Sequence, residues 1–344
     1  MSEFSTSAPR RRRGGRALRV APLPLAAALL IVGALCGALA PAAAQDKPYP
    51  SCTVRLVVGF PPGGGVDAVA RIFADKMSGL FGQPVVVINH GGAAGAIAGK
   101  LVAAERPDGC TVLVDSNSMV IFSLMNPNAG LLVARDLQPV ASVAPQAIII
   151  VASPGVKADT LSELIAGART HRLTYGTPGS GSVPHLFVEQ LLSDLPGVQM
   201  QHVPFQGAEA ALAAVMASQI DIAAVTLPPA APLVTAGKVK GIAVTGAKRS
   251  ANLPQVPTAI ESGYPALVAT AWTGFFVPPP TPPAIVDRLE QAILQVAGMP
   301  DIKAKLAGLG FEPTSTPGAA FRRELGLEIN TWNAVLERAH LIQQ

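Results

Sequence analysis

The stretch GFPPGGGVD, residues 59–67, connects an apolar run to an amphipathic pattern and decides how the chain begins to fold. Residues 54–58 are short, apolar and rich in valine, which is typical of a buried β-strand. Residues 66–81 have helical periodicity, and their apolar face consists of Val69, Ile72, Phe73, Met77 and Leu80. A buried strand, a glycine-rich turn and a helix together predict one unit of an α/β fold.

The same alternation of strand and helix continues along the chain. Further short, β-branched runs occupy residues 85–88, 111–114, 147–151, 201–203, 220–225 and 241–244. Helical patterns occupy residues 159–168, 182–192 and 208–218 and, each opening at or near a proline, residues 282–296, 300–309 and 317–339. Continuous apolar strands between helices indicate mainly parallel sheets that are flanked by helices on both faces.

The length of the chain indicates two lobes. About 300 of the 344 residues follow the N-terminal segment described next, and this exceeds what one hydrophobic core usually serves. No Pro-, Ser- or Gly-rich linker separates consecutive domains, so we expect the chain to cross between the lobes more than once. Residues 140–152 and 266–277 are the predicted crossing strands. The prediction is a clamshell with lobe 1 at residues 45–144 plus 267–344 and lobe 2 at residues 145–266.

Residues 1–44 have the pattern of a secretory signal peptide. Arg10–Arg13 precede an apolar run over residues 21–40, and Ala42 and Ala44 form a small-residue cleavage site. The alternative, an uncleaved membrane anchor, is disfavoured by the prolines in and after the run. We therefore expect export to the periplasm and cleavage.

Removal of this segment changes the charge of the protein. Six of the 26 Lys and Arg residues and one of the 22 Asp and Glu residues lie in it, which leaves 20 basic and 21 acidic residues. The mature chain is therefore almost neutral. It has no basic stripe that would indicate nucleic acid, and no later apolar stretch long enough to span a bilayer.

Two cysteines remain in the exported part of the chain. Cys52 and Cys110 each lie just before a β-rich run, and an oxidising compartment permits a disulfide bond between them. If the two strands are parallel neighbours, both cysteines lie at the same end of the sheet. We therefore expect a Cys52–Cys110 disulfide, with two separately buried thiols as the alternative.

The glycine-rich loop does not match a nucleotide-binding motif. A P-loop requires Lys and Ser or Thr after its glycines, whereas Val66 and Asp67 follow Gly65 here, and the third glycine of the dinucleotide fingerprint is missing. The glycines still expose backbone amides at a helix N-terminus, which favours a small anion such as a carboxylate. Asp67 either satisfies N–H groups at the helix start or makes a polar contact with the ligand; the two interpretations are compatible.

Two other loops have similar chemistry. Residues 175–185 (YGTPGSGSVPH) lead from a strand into a helix, and residues 115–119 (DSNSM) follow the strand that ends at residue 114. Open α/β sheets bind ligands at the carboxyl ends of their strands, so the three loops predict a site in a cleft. The candidate ligand-binding residues are Phe60, Pro61, Gly63, Gly64, Gly65, Val66, Asp67, Ser116, Asn117, Ser118, Thr177, Pro178, Gly179, Ser180, Gly181, Ser182, His185, Phe205, Val225, Thr226 and Trp272.

Several collinear blocks of this sequence resemble the Bug-type periplasmic solute receptors of the tripartite tricarboxylate transporter family. The blocks are RLVVGFPPGGGVDAVARIFADKM, GQPVVVINHGGAAGAIAGKLVAAERPDG, HVPFQGAEAAL, TAGKVKGIAVTGAKRSANLPQVPTAIESGYP and AWTGFFVPPPTPPAIVDRL. The resemblance implies a two-lobe Venus-flytrap fold, no catalytic activity, and delivery of small solutes, commonly carboxylates, to a membrane permease of two integral subunits. It also implies that loop amides and bridging waters hold the ligand carboxylate.

The sequence departs from the family pattern at positions that bear on the ligand. Val66 stands where the family usually has Ser or Thr, and Ala224-Val225-Thr226 stands where it usually has Phe-Asp-Asn. The missing aspartate removes a partner for a ligand ammonium group, unless Asp67 replaces it. We therefore expect a carboxylate with an apolar or aromatic body. The alternative for Val225 is that it points into the core and carries no information about the ligand.

Other candidates also have two interpretations. Trp272 either packs on a ligand ring or stabilises the hinge, and the hinge interpretation is favoured. For His185, a bond to the backbone at a helix terminus is favoured over a direct ligand contact. Phe60 and Phe205 are candidate apolar walls of the cleft.

The sequence offers no enzyme, metal or cofactor signature. The five histidines form no His-x-x-x-His pair and no cluster with cysteines or acids at metal-ligand spacing. Gly-x-Ser-x-Gly is not met in GSGSV, and no base partner is identifiable. We expect a monomer that feeds a transporter; a receptor that signals to the periplasmic domain of a sensor kinase is the alternative.

Overall fold

The computed structural model describes residues 49–265 and 267–342, which belong to one compact unit. The predicted signal peptide lies outside the described residues, so its cleavage stays a prediction. Within the described part of the chain, no helix is both long and apolar enough to cross a membrane.

The first group of elements is built on parallel strands. It contains, in chain order, β1 (Val54–Val58), α1 (Gly65–Phe81), β2 (Val85–Asn89), α2 (Ala96–Ala103), β3 (Thr111–Ser116), α3 (Asn117–Met125) and α4 (Val133–Asp136). β1 lies between β2 and β3 and pairs in parallel with both. The carboxyl ends of the three strands therefore lie at one edge of the sheet.

The second group repeats this arrangement. It contains α5 (Leu161–Thr170), β5 (Leu173–Thr177), α6 (Val183–Asp194), β6 (Met200–Pro204), α7 (Ala208–Met216), β7 (Ile222–Thr226), α8 (Leu227–Thr235) and β8 (Lys240–Val244). β5 pairs in parallel with β6 and β7. The sequence patterns predict β6, β7, β8, α5, α6 and α7 to within a few residues, whereas the proline-containing helix α8 was not predicted.

Two long strands connect the groups, and both run antiparallel to their neighbours. β4 (Gln138–Ala152) pairs with β7 and β8 in its last part, and β9 (Thr270–Val277) lies between β3 and β4. The chain ends in α9 (Pro283–Gly298), α10 (Pro300–Gly308), β10 (Ser315–Pro317, antiparallel to β4) and α11 (Gly318–Arg338). The sheet is therefore mixed: parallel within each group and antiparallel at the predicted crossing strands.

β4 is irregular where it passes from one group to the other. Its register against β9 shifts between Val143 and Gln146, and Ala144 has a φ of 51°, a left-handed conformation that is uncommon for alanine. The segment before β10 holds this bend, because Glu312 N–H donates to the Pro145 carbonyl (2.9 Å). The predicted lobe boundary at residues 144 and 145 lies at this bend, and the division into lobes stays a prediction.

Apolar side chains fill both faces of the sheet. Val54, Leu56 and Val58 of β1 are buried against α1, whose Phe73 and Met77 are fully buried. Burial of each such side chain contributes about 1.5–3 kcal/mol, so this face holds α1 and its glycine-rich start in place. The apolar face predicted for α1 is confirmed, with Leu80 at its partly buried margin.

Cys52 and Cys110 form a disulfide bond with a Cα–Cα distance of 6.1 Å. Cys52 lies two residues before β1 and Cys110 directly before β3. The two strands are parallel neighbours, which was the condition for the predicted pairing. The bond closes the end of the sheet opposite to the glycine-rich loop.

The disulfide bond leads to a prediction about stability. Replacing both cysteines with serine should lower the free energy of unfolding by about 2–4 kcal/mol, because the bond spans 58 residues and restricts the unfolded chain. Urea titration of residues 45–344, followed by circular dichroism, measures the loss. Reduced wild-type protein should match the double variant, and equal midpoints for oxidised wild type and variant would contradict the prediction.

Candidate ligand-binding site

The loop after β1 presents backbone amides at the start of α1. Gly63, Gly64 and Gly65 are exposed, and Gly63 has a φ of 89°, which favours glycine. Gly64 is the N-cap, and no side chain bonds to the N–H groups of the first turn. These N–H groups and the positive end of a 17-residue helix dipole favour a carboxylate at this point.

The buried carboxylate of Asp67 stabilises this loop by hydrogen bonds. Its carboxylate accepts hydrogen bonds from Gly63 N–H (2.9 Å), Arg71 Nε (2.8 Å) and Asn89 Nδ2 (2.8 Å). Burial alone would raise the pKa of Asp67, but these bonds outweigh it and lower the pKa to about 2. Asp67 is therefore buried and fully paired, which matches its structural interpretation. Asn89 was missed, although it ends a strand at the same edge of the sheet as β1 does.

Most side chains at the end of β3 are buried and form hydrogen bonds within the protein. Ser116 caps α3 and accepts from Ser118 N–H (3.3 Å). Asn117 is fully buried and donates from Nδ2 to the Thr270 carbonyl and to Glu328, each at 2.8 Å. Of the three residues predicted here, only Ser118 is partly exposed.

Three buried polar atoms around the end of β3 lack a hydrogen-bond partner among the described residues. They are Asp115 Oδ2, Asn117 Oδ1 and Thr273 Oγ1. Asp115 and Asn117 lie at the end of β3, and Thr273 faces Ser116 across the β3–β9 ladder. An unpaired buried polar atom costs about 1–3 kcal/mol, so such atoms are rare outside functional sites and buried-water sites. Asp115 lies in the predicted loop at residues 115–119, whereas no sequence pattern indicated Thr273.

Asp115 links the end of β3 to the glycine-rich loop. A Cβ atom placed on Gly59 or Gly95 would lie 2.0 Å and 2.2 Å, respectively, from Asp115 Oδ2, so only glycine fits at these two positions. Burial raises the pKa of Asp115 well above its usual range, while a hydrogen bond from Ser116 N–H (2.7 Å) opposes this. Asp115 is therefore a buried carboxyl group whose charged form is disfavoured by its surroundings.

The loop after β5 is also held by its own side chains. Ser182 caps α6, accepting from His185 N–H (3.3 Å) and donating to the Gly179 carbonyl (2.8 Å). Thr177 is buried and bonds to His202 Nε2 (2.7 Å). Pro178 and Gly179 are partly exposed and Ser180 is exposed, so these residues form the accessible part of the loop.

The stacked rings of Tyr175, His185 and His202 lie next to this loop and stabilise it. Ring centroids are 4.0 Å apart for His185 and His202 and 4.9 Å apart for Tyr175 and His202. His185 Nδ1 accepts from Gly181 N–H (3.1 Å), and the Tyr175 hydroxyl donates to Glu189. Burial lowers the pKa of His185 to about 3, with help from His202, and lowers that of His202 to about 4. Both rings are neutral at physiological pH.

Three residues predicted to contact the ligand lie elsewhere. His185 is buried in the ring stack and bonds to the backbone, which was its favoured interpretation. Trp272 packs on Phe276 and Phe321 beside the crossing strands. Val225 is fully buried in the core of the second group because the β7 register turns it inward, so it does not line a cleft.

The remaining predicted residues lie around the ends of the strands. Phe60 and Val66 are partly buried and pack on the core of the first group. Phe205 is partly buried and covers Gly176, and Thr226 is partly exposed directly before α8. Pro61 is exposed in the loop after β1.

The three loops approach one another through α3. Gly181 packs against α3, since a Cβ atom on it would lie 2.8 Å from Met125 Sδ. α3 starts at the end of β3, where Asp115 contacts Gly59 of the first loop. α3 therefore runs from the end of β3, beside the first glycine-containing loop, to Met125, beside the second.

A cavity of about 480 Å³ opens between the two groups on the α1 side of the sheet. Its walls come from Ala147 of β4, Leu227 at the start of α8, residues 247–252 after β8 and residues 310–313 after α10. Phe311 is in contact with Gly65, since a Cβ atom there would lie 3.3 Å from its ring. Another cavity of about 390 Å³, around Lys157 and Asp221, lies at the opposite end of the second group.

No group of three or more potential metal ligands occurs in the part of the chain that the structure describes. The accessible polar groups at the strand ends are backbone amides and hydroxyls. This arrangement is suited to holding an anion by hydrogen bonds.

The fold and the position of the site define a two-lobe periplasmic binding protein. A protein of R. palustris solved with adipate is 29% identical, with a TM-score of 0.74 and coverage of 85% of this chain and 98% of that one. MatC from Rhodopseudomonas palustris, solved with bound malate, is 31% identical, with a TM-score of 0.72 and coverage of 84% and 100%. BugT of Bordetella pertussis is 31% identical over 316 residues, which are 90% of this chain and 96% of BugT.

Residues 69–341 match the family model described as "Tripartite tricarboxylate transporter family receptor" (TctC). The chain belongs to this family, which confirms the resemblance seen in the sequence. It is accordingly a periplasmic solute-binding receptor and not an enzyme.

The ring stack predicts a loss of stability in mild acid. Below pH 6.5 the unfolded chain protonates its histidines while the folded protein keeps His185 neutral, so stability should fall as the pH decreases towards 4. The slope is at most about 1.4 kcal/mol per pH unit for His185 and smaller for the more exposed His202.

Urea titrations at pH 7.5, 6.5, 5.5 and 4.5 measure this effect. The raised pKa values of Asp115 and Glu328 act in the opposite direction, so the slope is compared between wild type and His185→Gln. The variant should lose part of the dependence. Identical slopes would mean that His185 is not held neutral.

Proposed function

We propose that this receptor captures a small carboxylate with an apolar body between its two lobes and delivers it to a tripartite tricarboxylate transporter permease. The ligand carboxylate binds the amides at the start of α1 and in the loop after β5, and the receptor acts as a monomer. The observation that carries this proposal is the cluster of unpaired buried polar atoms at the end of β3, which lies beside the loop after β1 through the contact of Asp115 with Gly59.

The apolar body of the ligand extends into the 480 Å³ cavity. This cavity borders the first loop through Phe311 and the end of β7 through Leu227, and both side chains are buried and apolar. Val66 packs beside Phe311 on the same core. Two relatives of known structure were solved with adipate and malate, which are small carboxylates of a size that fits here.

Neither described acid at the ends of β1 and β3 is available to a ligand ammonium group, and the acid in the cavity wall, Glu312, is exposed to solvent. Asp67 is buried and fully paired with Gly63, Arg71 and Asn89, and Asp115 has no exposed surface. A buried ammonium group without a carboxylate partner costs several kcal/mol. This supports a carboxylate without an amino group.

A thermal-shift screen of residues 45–344 tests the ligand class. The panel contains adipate, malate, citrate, benzoate, nicotinate, aspartate and glutamate. A ligand at 100 times its Kd stabilises the folded protein by about 2.7 kcal/mol, which shifts the Tm by several degrees. We expect shifts from carboxylates without an amino group, and calorimetry then gives their Kd. Tight binding of aspartate or glutamate alone would contradict the proposed ligand class.

Gly64→Asp tests the position of the ligand carboxylate. Gly64 has extended backbone, and a Cβ atom there would lie 3.7 Å from the Pro61 carbonyl oxygen, so the substitution fits without strain. The new carboxylate would occupy the amides of α1 and repel the ligand by several kcal/mol, so the Kd should rise at least about 100-fold. Calorimetry with a ligand from the screen measures the change.

Gly79→Asp is the matched control on the same helix. Gly79 is exposed and has open space around it, so this variant should keep the wild-type Kd. In the second lobe Ser180→Asp is preferable to Gly181→Asp, since Gly181 has a φ of 77° and packs against Met125. Wild-type affinity in both Gly64→Asp and Ser180→Asp would show that the carboxylate binds elsewhere.

A further inference from the structure

One carboxylate on the last helix binds three N–H donors from three different elements. Glu328 Oε1 accepts from Asn117 Nδ2 (2.8 Å) and Trp332 Nε1 (2.9 Å), and Oε2 accepts from Trp272 Nε1 (2.8 Å). Trp272 and Trp332 are the two tryptophans of the sequence. Every tryptophan side chain in the protein therefore bonds to this single acid.

The helix that carries Glu328 packs on both groups of elements. In the first half of α11, Phe321 and Leu325 pack in the core that contains Trp272 of β9. In its second half, Trp332 and Leu336 pack in the core of the second group. Glu328 lies on α11 between these two sets of contacts, so the helix spans the junction between the groups.

The carboxylate of Glu328 accepts hydrogen bonds only from uncharged N–H donors among the described residues. No Lys, Arg or His in the described part of the chain forms an ion pair with it, and the charged group that acts on it is Glu324, one turn earlier. Burial raises the pKa of Glu328, and the three hydrogen bonds oppose this. A carboxylate in this position is costly, and it stays in place only because its donors are fixed by packing.

Asn117 extends the network to the candidate ligand-binding site. It is the first residue of α3, directly after Ser116, and its Nδ2 also donates to the carbonyl of Thr270, the first residue of β9. The two acceptors fix the orientation of the Asn117 amide. Its Oδ1 is therefore held as one of the unpaired acceptors at the end of β3.

We propose that Glu328 is a positioning residue. Its hydrogen bonds fasten the end of β3 and the start of α3, next to the candidate ligand-binding site, to the crossing strand β9 and to α11, which packs on both groups of elements. A displacement of α3 by the ligand is then transmitted through Glu328 to β9 and α11. The link to ligand binding rests on the proposed function, whereas the fastening of α3 is a property of the ligand-free protein.

Hydrogen exchange of the ligand-free protein tests the fastening with Glu328→Gln. The glutamine amide keeps the shape but replaces one acceptor oxygen by a donor that faces an N–H group. Peptides from residues 117–125 and 270–277 should exchange at least about tenfold faster, since a hydrogen bond to a charged group is lost. Peptides from α7 (residues 208–216), which packs in a different core, should be unchanged. Glu337→Gln, on an exposed position of the same helix, should leave all peptides unchanged.

Faster exchange confined to residues 318–338 would overturn the proposal, because Glu328 would then stabilise only its own helix. If Glu328→Gln unfolds, Trp272→Phe is the milder variant, since it keeps the ring packing and removes one donor. It should accelerate exchange in residues 117–125, and an unchanged α3 would again overturn the proposal. A ligand found in the screen should bind Glu328→Gln about tenfold more weakly. If the screen finds no ligand, the proposed function fails while the exchange result still stands.

Discussion

The structure depends on the pairing of one strand, β4, with partners in both groups of elements. β4 pairs antiparallel with β9 and β10 in its first part and with β7 and β8 in its last part. Because β9 is antiparallel to both β3 and β4, β3 runs in the direction of β4, while β7 runs against it. The carboxyl ends of β3 and β7 therefore point towards each other across the bend at Ala144. This geometry alone places the candidate site between the groups.

Several polar side chains around the candidate site form hydrogen bonds with the loops themselves. Asp67 bonds to the first loop, and Ser182 and His185 bond to the loop after β5. The groups left accessible are backbone amides and short hydroxyls, which recognise a carboxylate without recognising the rest of the molecule. In the proposed function, selectivity comes from the walls of the cavity, such as Leu227 and Phe311. One scaffold can serve different carboxylates in this way, since loop amides are kept while wall residues change.

The two sides of the junction between the groups are different. On the side of α3, the helices α6 and α11 pack against it, and Glu328 ties this side to β9. On the side of α1, the groups are separated by the 480 Å³ cavity. A closing motion about the bend in β4 would therefore change the cavity side most, because the packed side is held by apolar contacts and by the Glu328 network.

The sequence by itself determined most strands and the longer helices, the parallel strand units, the two crossing strands and the cysteine pair, but not the short helices α2, α3, α4 and α8 or the strand β10. The features that it determined follow from periodicity and from turn chemistry, which act over a few residues. It also predicted a site at three loops, because strand ends meet at one edge of a sheet. Which of the predicted side chains are buried and which are accessible was decided only by the tertiary structure. The β7 register places Val225 in the core, and Trp272 and His185 are buried by packing. The fold also brings Glu328 within hydrogen-bond distance of Asn117, although the two residues are 211 positions apart in the sequence. No local pattern records such contacts, since they depend on how distant elements pack.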